Sequence, residues 1–135
     1  GGIFADAEDP AAMRAKLRQA SLALAAEAQI ASPEKSPPDP AAVTEGRKLI
    51  TSGLGCTDCH RFHDEGELGS APDLTGYGSR EWLAAMIANP EAERFYPDGH
   101  NDRMPAFAKH PQEPKQNTLT ATEIDLLVSW LRGEE

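Results

Sequence analysis

The chain has two cysteines, and they stand three positions apart in Cys56-Thr57-Asp58-Cys59-His60. A pair so close together cannot tie distant parts of a chain, so no disulfide framework is expected to support this fold. Stability must then come from an apolar core. Of the 135 residues 39% are apolar but only 6% aromatic, enough for one globular domain with an appendage and a core modest for its length. The cluster also lies between a helical segment and a long stretch without periodicity. Two thiols and an imidazole are therefore presented together by irregular backbone, and the fold has to be built around them.

The rest of the pattern is helical. Residues 1–8 read as a frayed end, and Gly1-Gly2-Ile3-Phe4 has neither the basic nor the apolar region of a cleavable signal. Asp9-Pro10 then supplies an N-cap and a first-turn proline. From Pro10 to about Ile30 the residues Met13, Leu17, Ala20, Leu24 and Ala28 recur at steps of three and four, one apolar stripe on a helix. That stripe either packs on the rest of the chain or meets a subunit not present, and the second reading is preferred. Residues 32–39 are proline-rich and read as a linker, dividing an extension, 1–39, from a domain, 40–135. Asp39-Pro40 repeats the cap for a second helix to about Thr51, with Val43, Gly46, Leu49 and Ile50 inward. Ser79 caps a third helix with a Trp82, Leu83, Met86, Ile87 stripe that stops at Asn89-Pro90. Thr120 and Glu123 form a capping box for a last helix lined by Ile124, Leu127, Val128 and Leu131, with Trp130 beside them and Gly133 as the stop. Nothing alternates with period two for long enough to make a strand, so the fold class is all-α. The stretches 61–78 and 91–118 read as long loops, which a compact domain tolerates when something such as a bound cofactor orders them.

Cys-x-x-Cys-His is the attachment pattern for c-type haem. Two thiols on one tight turn can each form a thioether to a vinyl group on one porphyrin edge, and His60 then supplies the proximal imidazole. A thioredoxin-like pair would want a preceding strand, which is absent here. A zinc site from Cys56, Cys59, His60 and His63 has the right ligand count but compressed spacing, and remains the lesser alternative. For the sixth iron position the candidates are Met86, His100, Met104 and His110. Met86 belongs to a helical stripe and reads as core. Met104, in Asp102-Arg103-Met104-Pro105, has no stripe to explain it and is followed by a stiffening proline, so it is preferred. His63 is too near His60 in the chain to reach the opposite face.

These residues together resemble a class I monohaem cytochrome c over about residues 40–133. The resemblance rests on the order of Gly46, Cys56-x-x-Cys59-His60, Ala71-Pro72-Asp73-Leu74, the Trp82-Leu83 helix, Met104-Pro105 and the Leu119 to Leu131 helix. It implies the class I cytochrome c fold, with helices packed around one covalent haem c and axial ligands His60 and Met104. It further implies that the first and last helices of the haem domain cross, so that Gly46 admits the Trp130 region. The carbonyl beside Pro72 should orient His60, although Ala71 stands where glycine is usual. Tyr77, Arg80 and Trp82 occupy positions where the family directs polar groups at the haem propionates; surface charge for Arg80 and a core ring for Trp82 are the plainer readings. A narrower likeness runs through Gly69 to Leu83, Arg94-Phe95-Tyr96 and Asn101 to Pro105. It is similar to haem c domains of bacterial cytochrome bc-type quinol oxidoreductases, which also carry an Ala-rich helix ahead of the haem domain.

The implied function is one-electron transfer in a respiratory chain, through a haem edge near Thr57 and Asp58, by an electron carrier rather than an enzyme. A free carrier to a terminal oxidase and a domain of a membrane-bound complex are the two settings. Since covalent attachment takes place outside the bacterial cytoplasmic membrane, the resemblance implies a periplasmic location. The charge, 13 basic against 22 acidic residues and a net −9, argues against nucleic acid and for redox partners with basic docking patches. Asp64-Glu65-x-Glu67 reads as a solvated loop or as part of such a docking face. No apolar run is long enough to span a bilayer. A haem sensor or peroxidase with a labile sixth ligand, assisted by His100 and Arg103, is the main alternative function.

Overall fold

The structure, a computed structural model, describes residues 9–30, 36–101 and 103–134. Within them lie four α-helices: α1 (Pro10–Ala28), α2 (Pro40–Lys48), α3 (Arg80–Ala88) and α4 (Ala121–Arg132). Among the described residues there is no strand, and extended pairing is limited to one bridge between Phe62 and Glu65. The expected frayed start, 1–8, and the linker residues 32–35 lie outside the described residues, as does Asp102.

Both proline-led helices start as their caps dictate. The Asp9 carboxylate accepts from the Ala11 N–H at 3.0 Å, and the Asp39 carboxylate from Ala41 N–H at 3.1 Å. α1 stops at Ala28, short of Ile30, because Gln29 turns left-handed (φ 52°) and closes its N–H on the Ala26 carbonyl. Arg132, at the end of α4, then donates to the freed carbonyls of Ala28 (2.6 Å) and Gln29 (3.1 Å), and to that of Gly78 (2.7 Å). One buried guanidinium thus pins the ends of α1 and α4 to the loop before α3.

α1 packs on α2, which corrects the preference for an absent subunit. Its stripe is satisfied within the chain: Ala20 and Ala23 are buried with Ile50, Leu54 and Phe62, and Met13, Leu17 and Leu24 pack around them. The small residues matter because the backbones come close. Gly46 of α2 is buried against α1, where a Cβ would collide with the Gln19 carbonyl and stand 2.9 Å from the Ala23 Cβ. The close approach expected between Gly46 and the Trp130 region is therefore made by α1 instead, while Trp130 is 76% exposed.

After Lys48 the helix widens into a π turn, Leu49–Gly53, with Leu54 N–H bonded to the Leu49 carbonyl at 2.8 Å. Thr51 and Ser52 donate their hydroxyls back to carbonyls of the preceding turn, which eases the loosening. Ser79 caps α3 by accepting from Trp82 N–H at 3.1 Å, and the capping box of α4 forms in both directions between Thr120 and Glu123. α3 buries Trp82 and Met86 with Phe95, and Ile87 with Ile124 and Val128 of α4. The expected α4 stripe is buried only in part. α3 has nine residues and covers a narrow strip, so Leu127 and Leu131 remain exposed.

Gly46→Ala should therefore lower the unfolding free energy by about 1–3 kcal/mol through the forced separation of α1 and α2. Gly69→Ala, where a Cβ meets nothing within 4 Å, should stay within about 0.5 kcal/mol of the parent. Urea midpoints of the two variants provide the comparison.

Candidate haem site

The π turn delivers the chain to the cysteines. Gly55 adopts a left-handed conformation (φ 68°), and Cys56–Asp58 form a single 3-10 turn closed by Cys59 N–H on the Cys56 carbonyl (3.3 Å) and His60 N–H on the same oxygen (3.0 Å). The Thr57 hydroxyl donates to the Thr51 carbonyl at 3.0 Å, fastening this turn to the end of the π segment. The two cysteines form no disulfide: Cys56 is half-buried against the α1–α2 core and Cys59 is exposed. Burial, with a smaller contribution from the Asp58 charge, pushes the Cys56 thiol up. Such a setting disfavours thiolate but carries no penalty for an uncharged thioether.

His60 leaves this turn with its ring already fixed. Its Nδ1 lies 2.7 Å from the carbonyl oxygen of Pro72. A carbonyl only accepts, so Nδ1 carries the proton and the Nε2 lone pair is left for a metal. The two segments that meet here are themselves joined. Leu74 N–H bonds the Arg61 carbonyl at 2.8 Å, and His63 N–H the Thr75 hydroxyl at 2.7 Å. Gly66 is obligatory in the same loop, with φ 81° and a Cβ position that would collide with the His60 carbonyl. The stretch 61–78 is thus ordered by its own hydrogen bonds.

Met104 is held by a neighbour that sequence reasoning passed over. Asn101 donates Nδ2–H to the Met104 carbonyl at 2.7 Å and accepts from its N–H at 3.1 Å. The side chain of Met104 packs between the Trp82–Met86–Phe95 and Ile87–Ile124–Val128 clusters. The loop around it is anchored by Phe107 N–H on the Ile87 carbonyl and Leu119 N–H on the Phe107 carbonyl. Met86 is core, as its helical spacing suggested. His100 is exposed, and His110 is half-buried, its backbone bonded in both directions by the Asn117 side chain.

The three proposed propionate residues are placed as follows. The Trp82 indole is buried and donates to the Asp73 carbonyl at 2.8 Å, stacking edge-on with Tyr77 and Phe95. Arg80 turns to α4, where it meets Asp125 (2.5 Å), Ser129 (3.1 Å) and Glu134. Tyr77 is partly exposed against Trp82. A propionate would have to compete with these protein partners for Trp82 and Arg80. Arg94, over the Phe95 ring, donates to the Thr75 carbonyl at 3.0 Å.

A further residue appears that no sequence signal marked. Glu27 of α1 is 6% exposed. Its carboxylate accepts from His63 Nε2 (2.8 Å), Arg47 (3.1 Å) and Gly76 N–H (2.8 Å). In the sequence it sits within an Ala-rich stripe and looks like a surface position. Burial opposes its ionisation most, yet the hydrogen bonds and charges of His63, Gly76 and Arg47 together hold it below the usual carboxylate range. With His63 engaged there, the four-residue zinc set is not assembled; among the described residues no three His, Cys, Asp or Glu side chains converge on a common point.

Two unbridged cysteines on one turn, an imidazole with its Nε2 available and a neutral setting for Cys56 fit covalent attachment of a porphyrin. The class is thus a small all-α protein with one covalently attached haem. The sequence model of the cytochrome c family matches residues 43–134, and the chain belongs to that family. Haem c, bound through Cys56 and Cys59, is accordingly its cofactor, and haem-based electron transfer its function. No individual curated protein and no solved structure matches the chain significantly. No helix among the described residues is long and apolar enough to cross a membrane.

Because the Glu27 carboxyl binds its proton less readily in the folded chain, the unfolded state takes up more protons as pH falls. Its stabilisation is present above the unfolded value, about pH 4.3, and is lost as pH falls through the lower folded value. Stability should therefore decline more steeply below about pH 4 in the parent than in Glu27→Gln, as read from denaturant midpoints between pH 7 and 3.

Proposed function

We propose that the chain carries single electrons on a haem ligated by His60 and Met104, as a component of a bacterial respiratory chain outside the cytoplasmic membrane. The observation that carries this reading is the 2.7 Å contact between His60 Nδ1 and the Pro72 carbonyl. A hydrogen bond there fixes the tautomer and raises the basicity of the nitrogen opposite, as proximal histidines require. Met104 is offered from a loop whose backbone Asn101 clamps on both sides, so a weak thioether ligand need not also order its own chain.

When bound, the haem iron supplies the reversible ferric–ferrous couple, and a histidine–methionine pair raises its potential. The chain's own part is to hold both ligands through the cycle, so that little reorganisation accompanies each transfer. It also has to expose one edge to partners. Thr57 is half-buried, while Asp58 and Cys59 are exposed at the attachment turn. The exposed acids Asp64, Glu65 and Glu67 follow in the adjoining loop. With a net charge of −9, this face suits a partner with a basic patch. The likeness of Gly69–Leu83 and Asn101–Pro105 to haem c domains of cytochrome bc-type complexes favours service beside a quinol-oxidising complex. A free carrier to an oxidase is the other setting. An electron carrier of this kind transforms no substrate.

In the haem-loaded protein, Met104→Ala should abolish the weak long-wavelength ferric band of methionine–iron ligation. It should also lower the midpoint potential by about 0.1 V or more, within the roughly 0.8 V that axial ligands span. Retention of the band would move the sixth ligand elsewhere. Rapid binding of carbon monoxide by the parent ferrous protein would point to a labile sixth position and to sensing or peroxidase chemistry.

A further inference from the structure

We propose that Glu27 of α1 is a positioning residue for the proximal ligand, joining the two chain segments that carry His60 and its partner Pro72 and so helping to set the reduction potential. The proposal rests on His60 being the axial ligand.

The starting point is a buried charge where packing does not call for one. The neighbouring inward positions of α1, Ala20, Ala23 and Ala28, are apolar and buried, and an apolar side chain at 27 would continue that surface. A buried carboxylate left unpaired is strongly destabilising, so its partners are the reason to look further. They come from three elements. Oε1 takes His63 Nε2 from the segment following His60, and Arg47 from α2. Oε2 takes the Gly76 N–H from the segment following Pro72.

The geometry of those two segments is what gives the contact consequence. Segments 60–63 and 72–76 are joined by three hydrogen bonds: His60 Nδ1 to the Pro72 carbonyl, Leu74 N–H to the Arg61 carbonyl and His63 N–H to the Thr75 hydroxyl. The carboxylate bridges the same two segments at the end away from His60. His63 itself is left-handed, with φ 54°, a conformation that a non-glycine residue keeps only when its surroundings hold it. Glu27 is part of what holds it. Releasing that end lets the segments separate and weakens the Pro72 bond, making His60 a poorer donor to ferric iron. The charge acts in the same direction, because a buried anion favours the more positive oxidation state. Arg47 of α2 and His63 are the cationic or titratable groups bonded to Glu27. At the same, C-terminal end of α1, Arg132 donates to the Ala28 and Gln29 carbonyls and pairs with Glu134.

The test is made on the full haem-loaded chain carrying Glu27→Gln, which keeps the shape but removes the charge and leaves one acceptor oxygen in place of two, so that one arm of the bridge is lost. At a fixed poise and pH 7 its ratio of reduced to oxidised protein should rise several-fold over the parent. Exchange of the His60 Nδ1–H proton with deuterated solvent, followed by proton NMR of the ferrous protein, should quicken. An unchanged ratio and exchange rate with a parent-like spectrum would overturn the proposal and leave Glu27 as a fastener for α1. Should that variant not accumulate, His63→Ala removes one arm of the same bridge, and the His60 Nδ1–H exchange should again quicken; an exchange rate equal to the parent's would overturn the proposal. A parent spectrum without histidine–iron ligation would remove the foundation instead, and is distinguishable because it precedes any variant.

Discussion

An imidazole ring has two nitrogens, and a haem protein that binds iron through one of them has to decide what the other does. Here Nδ1 of His60 meets the Pro72 carbonyl at 2.7 Å, which leaves Nε2 for a haem iron to take. Much of the irregular half of the molecule serves that contact. The glycine-rich loop 61–78 has no repeating backbone pattern, yet it returns to His60 through bonds at Arg61, His63 and Leu74. Proline at 72 has no N–H of its own and a restricted φ, so its carbonyl is presented from a stiff position.

Around this point the helices divide the work. α1, α2 and the π turn make one core that seats Cys56, while α3, α4 and Phe95 make the surroundings of Met104. The side chains linking these parts are polar. Arg132 gathers the carbonyls of Ala28, Gln29 and Gly78, and Glu27 gathers donors from α2 and both arms of the loop. A chain with few aromatics has limited apolar surface with which to fix the orientation of its parts. Directional, charge-assisted bonds supply that orientation where packing alone leaves it loose.

α1 consequently acquires a structural part beside the residues that the cytochrome c family model matches. By packing its alanines against Gly46 it occupies the face of α2 that the family pattern reserves for the last helix. α4 is left resting on α3 through Ile124 and Val128, with Leu127, Trp130 and Leu131 exposed. Whole-helix periodicity foresaw the apolar residues of α4. It could not foresee that a neighbour of nine residues would cover only part of them.

What the amino-acid sequence determined by itself was local. The attachment motif, the capping residues Asp9, Asp39, Ser79 and Thr120, the stop at Gly133 and the core role of Met86 were all legible. Each depends on chemistry within a few residues, where the chain has little choice. Other features needed the tertiary structure: the placement of α1 on Gly46, the pairing of Arg80 with α4 and of Trp82 with Asp73, the Asn101 clamp on Met104, and the burial of Glu27. Glu27 and His63 are separated by 36 positions, and a carboxylate in an alanine-rich helix looks the same whether it faces water or the interior. Only the packing of α1 against α2 removes the water, and with it the freedom of that charge to remain unpaired.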